Sequence, residues 1–376
     1  MTEKELREIK RRFRAERSNI PRIVGCFVNQ NNQIIARISQ PLALAESNVS
    51  ERLLGILKKT LSGGLGTNLH DIPFSMKQVT GGQEHGLLMG LLKSHLGDAE
   101  LLESFYENVK ESLHFDSNYV ILLANDIYDV PTFGKDGEKN DTTETYSYLV
   151  CAVCPVKSMN DAISFRESDR LFHTLSLSAL LAAPELGFLF PTFDDRRSNI
   201  YDALYYTRSL SESYPEFTKR ILASEPPMPP QTQRATFNGC LTDALSEECS
   251  LEIVRAVHAQ IAEKVTEHKE SRDPEPLTLS KGEVRSMLAN CGVEESRLEK
   301  LDTALTKEFG GDAEWTPKNV VSVNKFELSL PEVSIKVSPE HRDLVTTETI
   351  GGNKYVMIRV TGAVEVNGIP ITIDGE

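Results

Sequence analysis

Residues 118–131, NYVILLANDIYDVP, decide the fold. The apolar positions 119–124 follow one another without a polar interruption, which is typical of a strand buried on both faces. The acidic residues and the proline that follow predict a turn, and PTFGKDGEKNDTTET, residues 131–145, predicts a polar loop. Residues 146–156, YSYLVCAVCPV, predict a second strand. These strands and the helical patterns around them indicate a mixed α/β unit.

Working outward, residues 3–17 predict a helix, because Leu6, Ile9 and Phe13 are spaced to lie on one helix face. Further along, a helix is predicted over 98–113, and Asp98 at its start is a suitable N-cap residue. The further predicted elements on this side are a β-hairpin over 23–38 and helices over 47–61, 84–95 and 98–113.

The segment SEPPMPPQTQ, residues 224–233, contains four prolines and cannot continue a helix or a central strand, so it marks the main boundary. Helical patterns follow it. From about residue 318, alternating polar and apolar residues with turn signals predict a small antiparallel β unit. The predicted fold class is α+β. Its parts are an N-terminal α/β domain (1–223), a Pro-rich linker (224–233), a helical segment (234–310) and a C-terminal β unit (311–376).

The composition excludes several classes of protein. A chain of 376 residues with 40% hydrophobic and 26% charged residues is typical of folded globular proteins. The N-terminal residues are charged from the third onward, which argues against a secretory signal, and no apolar run reaches the roughly 20 residues of a membrane helix. Six scattered cysteines predict reduced thiols. We therefore expect a cytoplasmic protein without a membrane partner.

A strongly basic segment lies near the N-terminus of a chain whose net charge is −14. That net charge argues against a broad nucleic-acid-binding surface, so any such binding is expected to be local. The basic residues are Lys10, Arg11, Arg12, Arg14 and Arg17. Their expected partner is nucleic acid, a ribosome, or an acidic surface, which includes the protein's own.

Gly81, Gly82 and Gln83 lie just before a predicted helix in KQVTGGQEHGLLMGLL. They resemble the tripeptide with which protein-release factors hydrolyse the ester of peptidyl-tRNA. In that family the glycines permit unusual backbone conformations and water is oriented for attack. The resemblance implies an esterase. Against it, Glu84 adds an acidic group next to the tripeptide, and a Gly-Gly hinge before a helix also has a plain structural use.

Two acidic turns predict a metal or phosphate site. Asp126 and Asp129 follow the first buried strand, and Asp194, Asp195 and Arg196 follow the run GFLFPTF. If these turns meet, four carboxylates and an arginine could bind a divalent cation or a phosphate. Acidic residues also close turns and cap helices, so a structural role is the alternative.

Other residues that often carry chemistry do not form a site in the sequence. Cys151 and Cys154 have the spacing of a redox or metal pair, but an offset of three in a strand places side chains on opposite faces, which favours buried thiols. The eight histidines are isolated from one another. The sequence also lacks a Walker loop, a GxSxG elbow and an HExxH motif. No cofactor is expected.

Several runs along the chain carry a family resemblance. In order they are KRRF, GCFV, KKTLSGGLG, NYVILLANDIYDVP, CAVCPV, GFLFPTFDDR, ALYYT and VEVNGI. Together they resemble domain-of-unknown-function family 4317 over nearly the whole chain, which implies a bacterial cytoplasmic protein and brings no assigned activity. The helical pair at 280–309 and its β tail are similar in pattern to the C-terminal half of nucleoid-associated proteins.

These observations lead to one main hypothesis and two alternatives. The main hypothesis is a non-enzymatic cytoplasmic protein that associates with nucleic acid or the ribosome through its basic segment and its C-terminal β unit. The alternatives are a release-factor-like esterase and a metal- or phosphate-binding acidic site.

Overall fold

The computed structural model describes residues 1–133, 139–157, 162–175, 180–271, 273, 275–311, 313–321, 326–366 and 369–371. The chain divides into two compact units, Met1–Pro230 with Pro274–Pro276, and Gln231–Asp273 with Leu277–Glu376. Both contain helices and antiparallel strands, so the predicted α+β class is confirmed. The finer division into four parts stays a prediction.

The first unit is built on a large antiparallel sheet. The strands of this unit in chain order are β1 (Arg22–Val28), β2 (Ile34–Pro41), β3 (Leu69–Pro73), β4 (Tyr119–Phe133), β5 (Lys139–Lys157), β6 (Ala162–Arg166), β7 (Leu171–Leu175), β8 (Leu180–Leu181), β9 (Leu186–Phe190), β10 (Thr192–Asp194), β11 (Arg197–Asn199) and β12 (Asp202–Thr207). The main sheet has the order β2-β1-β4-β5-β9-β12-β3, and β8 pairs with one end of β5. Strands β6 and β7 form one separate hairpin, and β10 and β11 form another.

Helices cover both faces of this sheet. The helices of the unit are α1 (Glu3–Lys10), α2 (Ser47–Lys59), α3 (Met76–Gly81), α4 (Gln83–Lys93), α5 (Ala99–Ser112) and α6 (Pro215–Leu222). On one face, Ile121 and Leu123 of β4 share a buried cluster with residues of α4, α5 and α6, among them Phe105. On the other face, Val120 and Leu122 share a cluster with residues of α1 and α2. The prediction of a strand buried on both faces is confirmed.

Strand β4 continues further than the sequence indicated. It extends to Phe133, and its register with β5 pairs Asp126 with Tyr148 and Asp129 with Thr145. Both aspartates therefore lie within the strand and not in a turn after it. The predicted loop at 131–145 was wrong for residues 131–133, which end β4, and for residues 139–145, which begin β5; residues 134–138 lie outside the described part of the chain. In the long β4–β5 hairpin, each strand supplies backbone hydrogen-bond partners to the other. This pairing keeps polar residues in a strand although their local sequence is typical of a loop.

The two cysteines of β5 lie as predicted. Cys151 and Cys154 are both fully buried free thiols. Cys151 belongs to the cluster on one sheet face and Cys154 to the cluster on the other. Side chains three positions apart in a strand point in opposite directions, so these thiols cannot bind one metal ion together.

The second unit has a helical core and short hairpins. The helices after residue 229 are α7 (Pro230–Leu245), α8 (Leu251–Ser271), α9 (Lys281–Asn290), α10 (Glu295–Phe309) and α11 (Pro317–Val320), with 3₁₀ turns at Ser246–Glu248 and Pro339–Leu344. The strands are β13 (Leu279–Ser280), β14 (Glu314–Trp315), β15 (Phe326–Leu330), β16 (Val333–Val337), β17 (Val345–Ile350), β18 (Asn353–Ile358), β19 (Val364–Val366) and β20 (Ile369–Ile371). Phe237, Leu288, Leu301 and Trp315 are central members of its buried cluster.

The C-terminal strands pair locally. Strands β15 and β16, β17 and β18, and β19 and β20 form three antiparallel two-stranded hairpins in the described residues. The sequence predicted a single antiparallel β unit there, and the turn signals between neighbouring strands specify hairpins without specifying how hairpins join. Residues 322–325, at the start of the predicted tail, lie outside the described part of the chain.

Candidate functional site

The basic segment begins in α1. The Thr2 side chain accepts a hydrogen bond from the backbone N–H of Glu5 at 3.3 Å, and the Glu5 carboxylate accepts one from the backbone N–H of Thr2 at 2.8 Å. This capping box satisfies amide groups that a helix start leaves unpaired. Leu6 and Ile9 are buried, as their spacing predicted. The helix ends at Lys10, so the predicted end at residue 17 was wrong.

A buried carboxylate explains where α1 ends. Asp126 has no exposed surface. It accepts hydrogen bonds from Arg12 Nε at 3.1 Å, from the backbone N–H of Asn19 at 2.9 Å and from the Tyr148 hydroxyl at 2.8 Å. The chain between Arg12 and Asn19 turns out of the helical path, and both residues thereby reach the same carboxylate. The Arg12 guanidinium also lies 4.9 Å from the centre of the Tyr128 ring.

Arg12 and Asp126 were predicted in two different sites, and the structure joins the partly buried guanidinium to the buried carboxylate in one ion pair. A guanidinium neutralised in this way does not offer its charge to a phosphate on another molecule. A carboxylate that accepts four hydrogen bonds, two of them from Arg12, has little capacity left to bind a cation. Of the predicted partners for the basic segment, Arg12 meets the protein's own acidic group.

Arg196 connects α1 to strand β4 of the main sheet through hydrogen bonds. Its guanidinium donates to a Glu8 carboxylate oxygen at 3.0 Å and to the Pro131 carbonyl at 2.8 Å, and its backbone N–H donates to Glu5 at 3.2 Å. The Tyr128 hydroxyl donates to the same Glu8 oxygen at 2.7 Å. Arg196 therefore neutralises an acidic helix face.

Asp194 is engaged by a different set of donors. The amino group of Met1 lies 2.8 Å from one carboxylate oxygen. The Thr192 hydroxyl at 2.8 Å and the Asn199 amide at 2.7 Å donate to the other. These contacts stabilise the β10–β11 hairpin and the start of the chain.

The remaining two aspartates are exposed. Asp129 accepts a hydrogen bond of 3.3 Å from the Thr145 hydroxyl. Asp195 lies in the β10–β11 turn with a φ of 48°, a conformation that Asp tolerates better than most residues. Among the described residues, no group of three or more His, Cys, Asp or Glu side chains is arranged to hold a metal ion. The acidic metal or phosphate site stays a prediction that these contacts do not favour.

Three arginines of the basic segment remain available to a partner. Arg11, Arg14 and Arg17 are exposed on the irregular chain that follows α1. None of them has a hydrogen bond or an ion pair from its side chain to the described part of the protein. Their charges face solvent, where a polyanion can reach them.

Lys10 extends this positive region to a second helix. The pKa of Lys10 is lowered, chiefly because the side chain is partly buried; Glu3 opposes the shift, and Lys58 and then Arg7 add to it by repelling the positive charge. Lys58 lies in the last turn of α2, so the ends of two helices bring their cations together. We define the basic surface as Arg7, Lys10, Arg11, Arg14, Arg17 and Lys58.

The sequence missed two members of this surface. Arg7 is in the predicted helix, and Lys58 belongs to the pair of lysines that ends the predicted helix at 47–61. Those positions were visible as basic residues near helix ends. That the end of α2 approaches the end of α1 depends on packing against the sheet and left no signal in the sequence.

The Gly81-Gly82-Gln83 tripeptide forms the junction between α3 and α4. Gly81 and Gln83 are exposed. Gly82 has an ordinary extended conformation, with φ −72° and ψ 138°. A Cβ atom at Gly82 would lie 2.7 Å from the Gln78 carbonyl oxygen, whereas one at Gly81 would meet no atom within 4 Å. The structure thus requires glycine at position 82 for close packing and leaves position 81 unconstrained by neighbours.

Gln83 lines a polar groove of about 460 Å³ in the first unit. Ser104 and Asn108 of α5 and Lys219 of α6 line it as well. Lys219 forms an ion pair of 3.2 Å with Glu225. The groove offers hydrogen-bond donors and acceptors beside the glutamine.

Fold and site together define an α+β protein with an antiparallel sheet between helices and a group of basic residues at and after the end of α1. The chain belongs to the family described as Domain of unknown function (DUF4317), whose model matches residues 1–369. The resemblance noted in the sequence is confirmed. No curated protein matches the chain. Among the described residues, no helix combines the length and the apolar composition that crossing a bilayer requires.

Proposed function

We propose that this protein is a non-enzymatic nucleic-acid-associated protein, which binds RNA, DNA or the ribosome through the basic surface. The observation that carries the proposal is the gathering of Lys10, Arg7 and Lys58 from two helices. Like charges held together cost free energy. A polyanion that lies across them removes this repulsion and should raise the pKa of Lys10.

The three unpaired arginines strengthen the proposal. Arg11, Arg14 and Arg17 are exposed, and a guanidinium binds phosphate oxygens with two parallel hydrogen bonds. The chain as a whole is strongly acidic, with a net charge of −14. Repulsion from that acidic surface should orient a nucleic acid so that it approaches at the basic surface.

A structural role for the helix-end cations is the competing explanation. Lys10 and Lys58 lie in the last turns of their helices, where a positive charge interacts favourably with the helix dipole by about 0.3–1 kcal/mol. The test therefore uses Arg11, Arg14 and Arg17, which lie beyond the last helical residue. Their replacement should leave stability nearly unchanged and affect binding alone.

The experiment measures the affinity of the full chain for a fluorescent single-stranded RNA and for a DNA duplex over a series of KCl concentrations. Counterion release predicts a linear fall of log K with log salt, with a slope of about −0.9 for each phosphate neutralised on duplex DNA. The triple variant Arg11→Gln/Arg14→Gln/Arg17→Gln should make that slope shallower by about 2.7. Sedimentation with purified ribosomes forms the second arm.

A matched control carries the same change in charge elsewhere. Arg166→Gln/Arg170→Gln/Arg197→Gln also removes three exposed arginines from the first unit and takes the formal net charge from −14 to −17. It should bind as the unmodified protein does. If the unmodified protein binds neither probe nor ribosomes at low salt, or if both triple variants behave alike, the proposal is wrong.

We also propose a cytoplasmic location. The thiols support it, since Cys26, Cys151 and Cys154 are free and buried among apolar side chains of the core.

A release-factor-like esterase is the second candidate. It is favoured by the exposure of Gly81 and Gln83 at the start of α4, beside a polar groove. Purified protein should then release the peptide from ribosome-bound peptidyl-tRNA, and Gln83→Ala should abolish release. Gln30→Ala, at an exposed glutamine in the β1–β2 turn, is the control and should retain it. Absence of release by the unmodified protein would exclude this candidate and leave the binding proposal intact.

A further inference from the structure

The second unit contains a pocket of about 380 Å³ that is formed by α7, α8, α11 and β15. Its walls are mainly apolar, and among them are Val254, Val320 and Phe326. Arg234, His258 and Glu327 supply its charged or titratable groups. Apolar walls with a few polar groups at defined positions are typical of sites for small organic molecules.

Arg342 carries a buried positive charge close to this pocket. Only 8% of the residue is exposed, and its Nε has no hydrogen-bond partner in the described residues. No carboxylate of the described chain forms an ion pair with it. Burying an unpaired charge is costly, and folded proteins normally offset that cost with a counter-ion.

His258 links Arg342 to the pocket. The pKa of His258 is lowered to about 4, first by burial and then by the positive charges of Arg342 and Arg234. Arg234 lines the same pocket as His258, whereas Arg342 acts on the imidazole from behind the pocket wall. At neutral pH the imidazole is uncharged and adds no negative charge to balance them.

The other charges at the pocket do not neutralise this cluster. Arg234 donates to the carbonyls of Asn319 at 3.1 Å and Lys318 at 2.7 Å, which hold the guanidinium in place without cancelling its charge. Glu327 is shared with Lys336, at 3.9 Å, and with the Ser334 hydroxyl, at 3.3 Å. The pocket keeps a surplus of positive charge beside apolar walls.

We propose that this pocket binds a small organic carboxylate, with its negative charge towards Arg234 and His258 on the side where Arg342 is buried, and its apolar part against Val254, Val320 and Phe326. A carboxylate matches the fork of a guanidinium. Its single charge suits walls that are mostly apolar better than a strongly hydrated phosphate does. A medium-length alkyl carboxylate satisfies both halves of the pocket.

Octanoate is the probe, and isothermal titration calorimetry on the full chain is the measurement. Trp315 is the single tryptophan of the sequence and lies 5.6 Å from the ring of Phe237 in the core of this unit, so its fluorescence gives a second readout. Octanoate should bind, and 1-octanol, which has the same chain without the charge, should bind at least about tenfold more weakly.

Arg342→Met is the decisive variant. It should weaken octanoate binding at least about tenfold. In the absence of ligand it should leave the melting temperature unchanged or raise it, because an unpaired buried charge has been removed. A residue with a purely structural role would lower the melting temperature instead. Arg359→Met is the matched control, because Arg359 is exposed and already paired with Asp343, and it should bind octanoate normally.

A second variant tests the apolar half of the site. Val254→Phe fills the pocket from its wall without altering a charge and should abolish binding. Equal affinity for octanoate and 1-octanol would overturn the proposal, since the charges would then play no part. Displacement of octanoate by inorganic phosphate at equal concentration would assign the site to phosphate, and no binding of octanoate would reject it entirely.

Discussion

At the level of single residues, Asp126 connects distant parts of the chain. It lies in β4, an inner strand of the main sheet, and accepts hydrogen bonds from Arg12 and Asn19 of the N-terminal segment and from Tyr148 of β5. Because it is fully buried, its charge depends on these three donors in place of water. The carboxylate that looked like a metal ligand in the sequence serves instead to anchor the N-terminal segment.

Replacing Asp126 with Ala should therefore destabilise the protein strongly. The change leaves the Arg12 guanidinium partly buried without a counter-ion, and breaking a buried pair in this way costs about 3–5 kcal/mol. Urea unfolding measures the loss. Asp129→Ala, three residues along the same strand but exposed, should stay within about 0.5 kcal/mol of the unmodified protein. Equal stabilities of the two variants would contradict a structural role for Asp126.

The cysteines should differ greatly in reactivity. Burial raises the pKa of Cys26 and of Cys154 to about 12, so neither thiol ionises near neutral pH. Cys249 is exposed. A thiol reagent at mildly alkaline pH should modify Cys249 first and leave Cys26 and Cys154 unmodified until the protein unfolds, because the thiolate is the reacting form. Mass spectrometry of the labelled peptides identifies the sites, and modification of Cys154 in the folded protein at the rate of Cys249 would contradict this expectation.

At the level of elements, the contact between β1 and β4 depends on a glycine. A Cβ atom at Gly25 would lie 2.1 Å from the Ile121 carbonyl oxygen of the neighbouring strand. Neither strand can move away without losing the buried contacts on both sheet faces. Glycine is therefore required for the close approach of two backbones, although its own conformation is unexceptional.

Gly25→Ala should destabilise the protein by about 2 kcal/mol or more, because overpacking a rigid core costs about 1–3 kcal/mol and here the clash is with backbone. Gly239→Ala is the matched control. Gly239 lies within α7 and a Cβ atom there meets nothing within 4 Å, so alanine should stabilise the helix by about 0.5–1 kcal/mol. Thermal unfolding measures the change in stability of each variant. The critical result is that Gly25→Ala lowers the stability and Gly239→Ala raises it.

The sequence predicted those elements whose formation is local. The apolar run at 119–124 became a buried strand, and Asp98 caps α5 by accepting hydrogen bonds from Glu100 and Leu101. The end of α1 and the length of β4 were missed. The end of α1 depends on the contact between Arg12 and Asp126, which are separated by 114 residues. The length of β4 depends on its pairing with the neighbouring strand β5.

The candidate site follows the same division. The basic residues were recognisable from their clustering in the sequence, and three of them are exposed. Long-range packing forms the ion pair between Arg12 and Asp126 and brings Lys58 near Lys10. Charge type was visible in the sequence, but which charges remain free to bind a partner was not.

At the level of the whole molecule, stability should fall as the solution becomes acidic. The pKa of His258 is about 4 in the folded protein, below its ordinary value of 6.5, because of burial and nearby arginines. Between these values the unfolded chain binds a proton that the folded chain does not, so protonation favours unfolding. The loss should begin below about pH 6.5, be complete near pH 4, and amount to about 3 kcal/mol at most.

Urea unfolding at a series of pH values measures this dependence. His258→Gln should remove most of it, because the side chain then has no proton to bind. His114→Gln, at an exposed histidine of the first unit, should retain it. An unchanged pH dependence in His258→Gln would mean that another group is responsible.

The order of strands in the main sheet also determines how long β3 remains without its partner strand during synthesis. Strand β3 at the sheet edge pairs with β12, and about 130 residues separate Pro73 from Asp202. At a translation speed of about 5–20 residues per second, β3 emerges from the ribosome roughly ten seconds before its partner. During that interval β3 has no partner strand, and its unpaired hydrogen-bonding groups can pair with another chain until β12 arrives.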